Sequence, residues 1–275
     1  MTNNFLNVYF DESGKEKKEI SLMGALCIPD NVYKNTKKIN DLNQKLKNKE
    51  FKLHFTEYKK ENFPIYRNVL NAFVECENFI KINIVAYKKD SHIDENKKRY
   101  KNIVHKMVYK KIPERVLYGI LRDYGNFSNV EANLFIERSG EYEELKLHKN
   151  VKEELNIHSI YRHENFWVNK SVLYPKNTEL GIEAIDTFLG IVRIIATNSS
   201  CATDEENFSM NLWNKKLFIS KMLSDKNFYN FLCQINYFEL DGQAILEQKN
   251  FKDYINLFLS KFLQEKVQLN SKNGI

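Results

Sequence analysis

No stretch of this 275-residue sequence approaches the roughly 20 consecutive apolar residues of a membrane span, and the N-terminus lacks the apolar core of a secretory leader. Cysteine is scarce. Cys27, Cys76, Cys201 and Cys233 stand far apart without a CxxC pair, which argues against a disulfide framework or a zinc cage and fits buried thiols in a reducing compartment. The chain has no P-loop, GxGxxG, GxSxG or HExxH motif, so phosphate-loop, dinucleotide, serine-hydrolase and zincin chemistry lack their signatures. His158 and His163 lie five apart and miss the i, i+4 zinc spacing, so both read as ordinary surface or core histidines. These absences leave a cytoplasmic protein without membrane attachment as the expectation.

What is present is enough apolar material for a substantial core: 43% of residues are hydrophobic. The net charge of +6 arises from 42 basic and 36 acidic side chains. That surplus favours an anionic partner without requiring one.

The stretch NFLNVYFDESG (Asn4 to Gly14) reads as a strand apolar on both faces, with Phe5, Asn7, Tyr9 and Asp11 on one side and Leu6, Val8 and Phe10 on the other. It ends in Asp11 and Glu12 before a Ser-Gly turn. A buried carboxylate needs compensation. Asp11 therefore either meets a metal ion or hydrogen-bonds the turn, and the strand alone leaves both readings open.

Further strands are predicted at Ile20 to Ile28, Phe79 to Tyr87, Asn129 to Ser139 and Asn165 to Tyr174, the first of them antiparallel to the opening strand. Helices are predicted at Asn31 to Lys49, Pro64 to Cys76, the latter part of Lys88 to Lys111 continuing past Pro113, and Glu141 to Leu155. Lys97, Lys98, Arg99 and Lys101, interleaved with tyrosines, form either a phosphate-binding surface or a solvated basic face. Glu179 to Thr197 is the most informative helix. Its apolar stripe runs beside Glu179, Glu183, Asp186, Gly190 and Arg193, so Glu183 and Asp186 point the same way and repel unless a cation sits between them. From Thr203 onward the pattern reads as helical. The expected layout is an α/β domain over 1–200, with a mixed sheet of about five strands, and an α-helical C-terminal extension over 201–275.

Five segments, YFDESG, LMGALCIP, KLHFTE (Lys52 to Glu57), LFIERS around Glu137 and GIEAIDTFLGIVR (Gly181 to Arg193), resemble in order and wording the domain of unknown function 3800 family. Its members look like nucleases of RNase H-like fold. Glu183 stands where that family usually has Gln, and Glu137 where Asp is common.

The resemblance implies that strands one and four are neighbours at the centre of the sheet and that a later helix crosses beside them. Asp11, Glu137 and Asp186 would then converge on two Mg²⁺ or Mn²⁺ ions, with Asp11 bridging, Glu183 or Glu12 assisting and Glu57 a further ligand. The implied activity is metal-dependent hydrolysis of phosphodiester bonds in DNA or RNA, with Arg193 and the lysine-rich segment contacting nucleic acid. The alternative is a non-catalytic nucleic-acid- or partner-binding subunit on the same fold, from a mobile-element or phage-defence system. The C-terminal helices would suit a homodimer interface as well as a core.

Overall fold

Alternation in β1 (Asn4–Ser13) sets the architecture: Leu6, Val8 and Phe10 enter one apolar layer and Tyr9 the other, all four buried. The structure is a computed structural model that describes residues 4–14, 20–88, 101–125, 128–199, 209–240 and 245–272. β1 pairs antiparallel with β2 (Ser21–Pro29), which pairs antiparallel with β3 (Lys81–Tyr87). On its other side β1 runs parallel to β4 (Val130–Glu137), and β4 parallel to β5 (Phe166–Tyr174). The first and fourth strands are thus central neighbours.

Helices cover both faces. α1 (Asp30–Asn35), α2 (Lys37–Lys47), α3 (Phe63–Val74) and α7 (Leu180–Ser199) lie on the Tyr9 side. α4 (Lys101–Gly125), α5 (Gly140–Glu144) and α6 (Leu147–Tyr161) cover the side of Val8 and Phe10. α4 continues past Pro113 as one helix. Among the described residues no helix is long and apolar enough to cross a membrane.

The segment after residue 200 departs from the helical expectation. α8 (Met210–Leu223), α9 (Lys226–Cys233) and α10 (Phe251–Lys272) are helices, but β6 (Asn236–Leu240) and β7 (Leu246–Lys249) extend the sheet to seven strands in the order β5-β4-β1-β2-β3-β6-β7. β6 pairs parallel with β3, and Phe251, Ile255 and Phe258 of α10 join the core around α7. The C-terminal part therefore completes the sheet and one of its helical layers. Trp213 stacks on Phe262 at 5.3 Å, and most of the α10 phenylalanines are spent on this packing, while Leu257, Leu263 and Val267 remain exposed.

Candidate metal-binding carboxylate site

Register brings the first two acids together. Phe10 pairs with Ile136 as the last pair of the parallel β1–β4 ladder, so Asp11 and Glu137, each one residue further on, lie side by side where that ladder ends. α7 crosses the sheet over β1 and supplies Glu183 and Asp186, three residues apart on one helical face. Asp11 and Glu183 are each 3% exposed and Glu137 9%, whereas Asp186 keeps 15% of its side chain open.

The surrounding loops hold these groups with main-chain donors. The Phe55 N–H donates to Asp186 Oδ2 at 3.1 Å, and His54 Nδ1 stands 3.7 Å from the same oxygen. Asn177, left-handed at φ 56°, donates its N–H to Glu183 Oε1 at 2.5 Å and accepts the Leu53 N–H on its side chain at 2.7 Å. Lys176 Nζ bonds Glu137 Oε1 at 2.8 Å. Gly190 explains why Phe55 sits so close to α7: a Cβ there would meet the Phe55 ring at 2.1 Å. The close approach that the bare helix position permits is made by an aromatic ring.

Charge is poorly compensated here. Burial is the main reason that the Asp11 carboxyl titrates well above the usual carboxylate range, and contact with Glu137 and the charges of Glu137 and Asp186 push the same way. That carboxyl–carboxyl contact is a hydrogen bond only while one partner carries a proton. Asp11 Oδ2 is buried and receives no hydrogen bond. Burial also raises Glu183 to about 8, against the lowering effect of the Asn177 N–H and with the help of Asp186 and Glu137. His54 is raised by the neighbouring Asp186 carboxylate. For Lys176 burial acts downward, but the bond to Glu137 and the charges of Glu137, Asp11 and Asp186 outweigh it and keep the ammonium above its ordinary value.

The chain matches no protein-family model and no curated protein. What the site can do rests on its own chemistry. Four carboxyl groups, one of them with an orphaned buried oxygen, form a hard oxygen donor set suited to Mg²⁺ or Mn²⁺. Their ligand atoms are more widely spread than in a preformed cage for a single ion. Among the described residues, the group of three whose ligand atoms all lie within 4.8 Å of one another is Glu114, Glu154 and His158.

That second group lies between α4 and α6, across the sheet from Asp11. His158 Nε2 and Glu114 Oε1 are 2.7 Å apart, and Lys111 Nζ pairs with the other Glu114 oxygen at 2.7 Å, so both Glu114 oxygens already have partners. Its trace in the sequence was the i, i+4 pair Glu154 and His158, a different partner from the His158–His163 pairing considered above.

Several expected ligands fall elsewhere. Glu12 points into the opposite layer, because neighbours in a strand face opposite ways. There it accepts hydrogen bonds from Tyr87 at 2.9 Å, Tyr109 at 3.1 Å and Tyr142 at 3.2 Å. Glu12 is thus corrected from metal ligand to buried structural anion. Glu57 is exposed on a 3-10 turn (Phe55–Glu57), where its charge acts on His54. Glu179 is buried but engaged by Tyr33, Asn43 and Lys47. Lys97, Lys98 and Arg99 lie outside the described residues, and Lys101 opens α4. Arg193 runs beside the Gly14 turn, whose φ of +97° favours glycine.

Residues with no local signal complete the site. Lys176 follows Pro175 in a turn, and the Phe55 amide is main chain. Lys215 comes from α8: its Nζ donates to the Thr56 carbonyl at 2.8 Å, and burial, with Arg193 nearby, lowers it to about 8.

Proposed function

We propose that the chain is a divalent-metal-dependent nuclease of RNase H-like fold, acting in the cytoplasm and similar to the domain of unknown function 3800 family. The observation that carries this reading is the gathering of Asp11, Glu137, Glu183 and Asp186 at one edge of β1, β4 and α7, with a buried Asp11 oxygen that no donor reaches. The strand order β3-β2-β1-β4-β5, with β1 to β3 antiparallel and β1, β4 and β5 parallel, supports the fold assignment.

Asp11, Glu137 and Asp186 would hold Mg²⁺ or Mn²⁺, with Glu183 beside them. The ion would supply Lewis acidity toward a phosphate oxygen and a water acidic enough to attack it. The chain's own residues do the positioning. The Phe55 N–H and His54 fix Asp186, Asn177 fixes Glu183, and Lys176 neutralises Glu137 until a stronger cation enters. Arg193 and Lys215 stand on the α7–α8 side, where a phosphodiester would approach.

Lys176 also favours a second reading, a non-catalytic nucleic-acid- or partner-binding subunit in which an ammonium permanently replaces the metal. The two separate in one assay. Wild-type protein with Mn²⁺ is expected to cleave single- or double-stranded DNA or RNA, and Asp11→Asn and Asp186→Asn each to abolish cleavage while circular dichroism stays native. Absence of cleavage by wild type with either metal would favour the binding subunit.

A further inference from the structure

A pocket opens between the start of α3 and α8, one 3-10 turn away from the carboxylates. Its volume is about 310 Å³, at the small end of the roughly 300–1,000 Å³ typical of ligand pockets. Phe63, Pro64 and Leu217 supply apolar walls, and Lys60, Lys221 and Asn214 the polar ones. Phe63 is half-buried and fixed edge-on against Phe218 at 5.6 Å, while Lys221 Nζ stands 5.4 Å from its ring centre. The slot is tied to the acids through side-chain contact. Tyr58, which also lines it, packs on Phe55 at 6.0 Å, and the Phe55 N–H holds Asp186.

A rigid aromatic wall flanked by two lysines is the combination by which proteins hold unpaired bases: the ring stacks on the heterocycle and the ammonium groups meet the adjacent phosphates. Glu61 at the rim offers acceptors for the exocyclic amino group of a base. A paired, stacked base within a duplex could not enter a space of this size. Resting on the nuclease reading, we infer that this slot receives an unpaired nucleobase flanking the scissile phosphate, so that the substrate is single-stranded nucleic acid. Lys215, next to Asn214 in the chain and reaching Thr56, lies between slot and carboxylates and faces the intervening backbone phosphate.

The test measures anisotropy of fluorescein-labelled single strands of mixed-sequence DNA and RNA, and of the matching duplex, with wild-type protein in EDTA so that nothing is cut. Single strands are expected to bind more tightly than duplex. Phe63→Ala is expected to weaken single-strand binding by ~5- to ~150-fold, the range of one lost stacking contact, and to leave duplex binding unchanged. Lys221→Glu, at an exposed position, is expected to weaken it as well and guards against a folding defect in the first variant. Equal affinity for both forms, or unchanged affinity in both variants, overturns the proposal. If Mn²⁺-supported cleavage occurs but Phe63→Ala cleaves single strands with an unaltered KM, the slot is refuted and the nuclease stands. If nothing is cleaved yet single strands still depend on Phe63, the slot stands and the nuclease falls.

Discussion

Gly190→Ala is expected to reverse the usual sign of that exchange. In an unencumbered helix interior, replacing glycine by alanine gains about 1 kcal/mol. Here the new methyl would lie 2.1 Å from Phe55 Cδ1, 2.8 Å from Cγ and 2.9 Å from Cε1, distances that require the ring to move. The ring has little room. It is 3% exposed and walled in by Tyr58, Phe218 and Tyr66 at centroid distances of 6.0, 6.0 and 6.1 Å. Forcing extra volume into a packed core costs roughly 1–3 kcal/mol, so the net effect is a loss of up to about 2 kcal/mol in place of a gain. Function should suffer more than stability, because any shift of Phe55 carries its N–H away from Asp186, now 3.1 Å distant. Urea unfolding gives the first quantity, and the rise in Tm on adding Mn²⁺ gives the second. Phe55→Ala removes the obstructing ring atoms, so in a double-mutant cycle it should rescue Gly190→Ala with a coupling of about 1 kcal/mol or more. A Gly190→Ala protein more stable than wild type, or strictly additive effects, would refute the packing argument.

Other expectations follow from the charges. Glu183 is raised from 4.5 to about 8, so the folded state holds a proton that the unfolded chain releases, and this site destabilises the metal-free protein as pH rises through that interval. The full cost above pH 8 is about 4–5 kcal/mol at 1.36 kcal/mol per unit, so Glu183→Gln should flatten the pH dependence of the urea midpoint in EDTA; parallel slopes would exclude it. Glu12→Ala should destabilise by about 3 kcal/mol or more, since three tyrosine hydroxyls lose their acceptor, and added Mn²⁺ should not change that difference in Tm. Asp11→Asn should keep the metal-free fold intact but lose the stabilisation of about 2.7 kcal/mol that wild type gains at Mn²⁺ near 100 Kd; an undiminished gain would remove Asp11 from the site.

The central strands and the α7 acids were legible because both rest on strong local patterns. β1 is apolar on both faces, as a central strand is, and GIEAIDTFLGIVR places two acids on one helical face however the neighbours pack. Alternation along β1 already put Glu12 with Leu6, Val8 and Phe10, and so away from Asp11; reading the two acids as a unit overrode it. β6 and β7 escaped notice because NYFEL and LEQK are too short to show a period, and they become strands only where β3 offers a free edge. Lys176, Asn177 and the Phe55 amide left no trace either. Each sits in a turn whose identity permits many conformations, and only the packing of Phe55 against Gly190 and the left-handed φ of Asn177 aim them at the acids.

Asp11 and Glu12 together contrast a candidate metal ligand with a buried carboxylate that the fold itself satisfies. They are consecutive, both nearly inaccessible and on one strand, so burial does not distinguish them, and alternation says only that they face opposite layers. Their partners distinguish them. Glu12 is surrounded by hydroxyl donors drawn from β3, α4 and α5, elements distant in the chain that converge on one carboxylate and satisfy it. Asp11 faces two further carboxyl groups, Glu137 and Asp186, and keeps an oxygen that nothing donates to. A fold stabilised only by its own contacts would gain little from carboxyl groups that must take up protons to stay buried while a good acceptor stands empty, and a neutral residue would serve better. The arrangement becomes favourable once a cation enters, and Lys176, already drawn onto Glu137, shows how strongly the cluster attracts one. A divalent ion compensates more charge in less space than an ammonium on a flexible stem. Under the nuclease reading, metal binding should therefore displace Lys176 toward solvent, where its freed charge would be available to an anionic substrate.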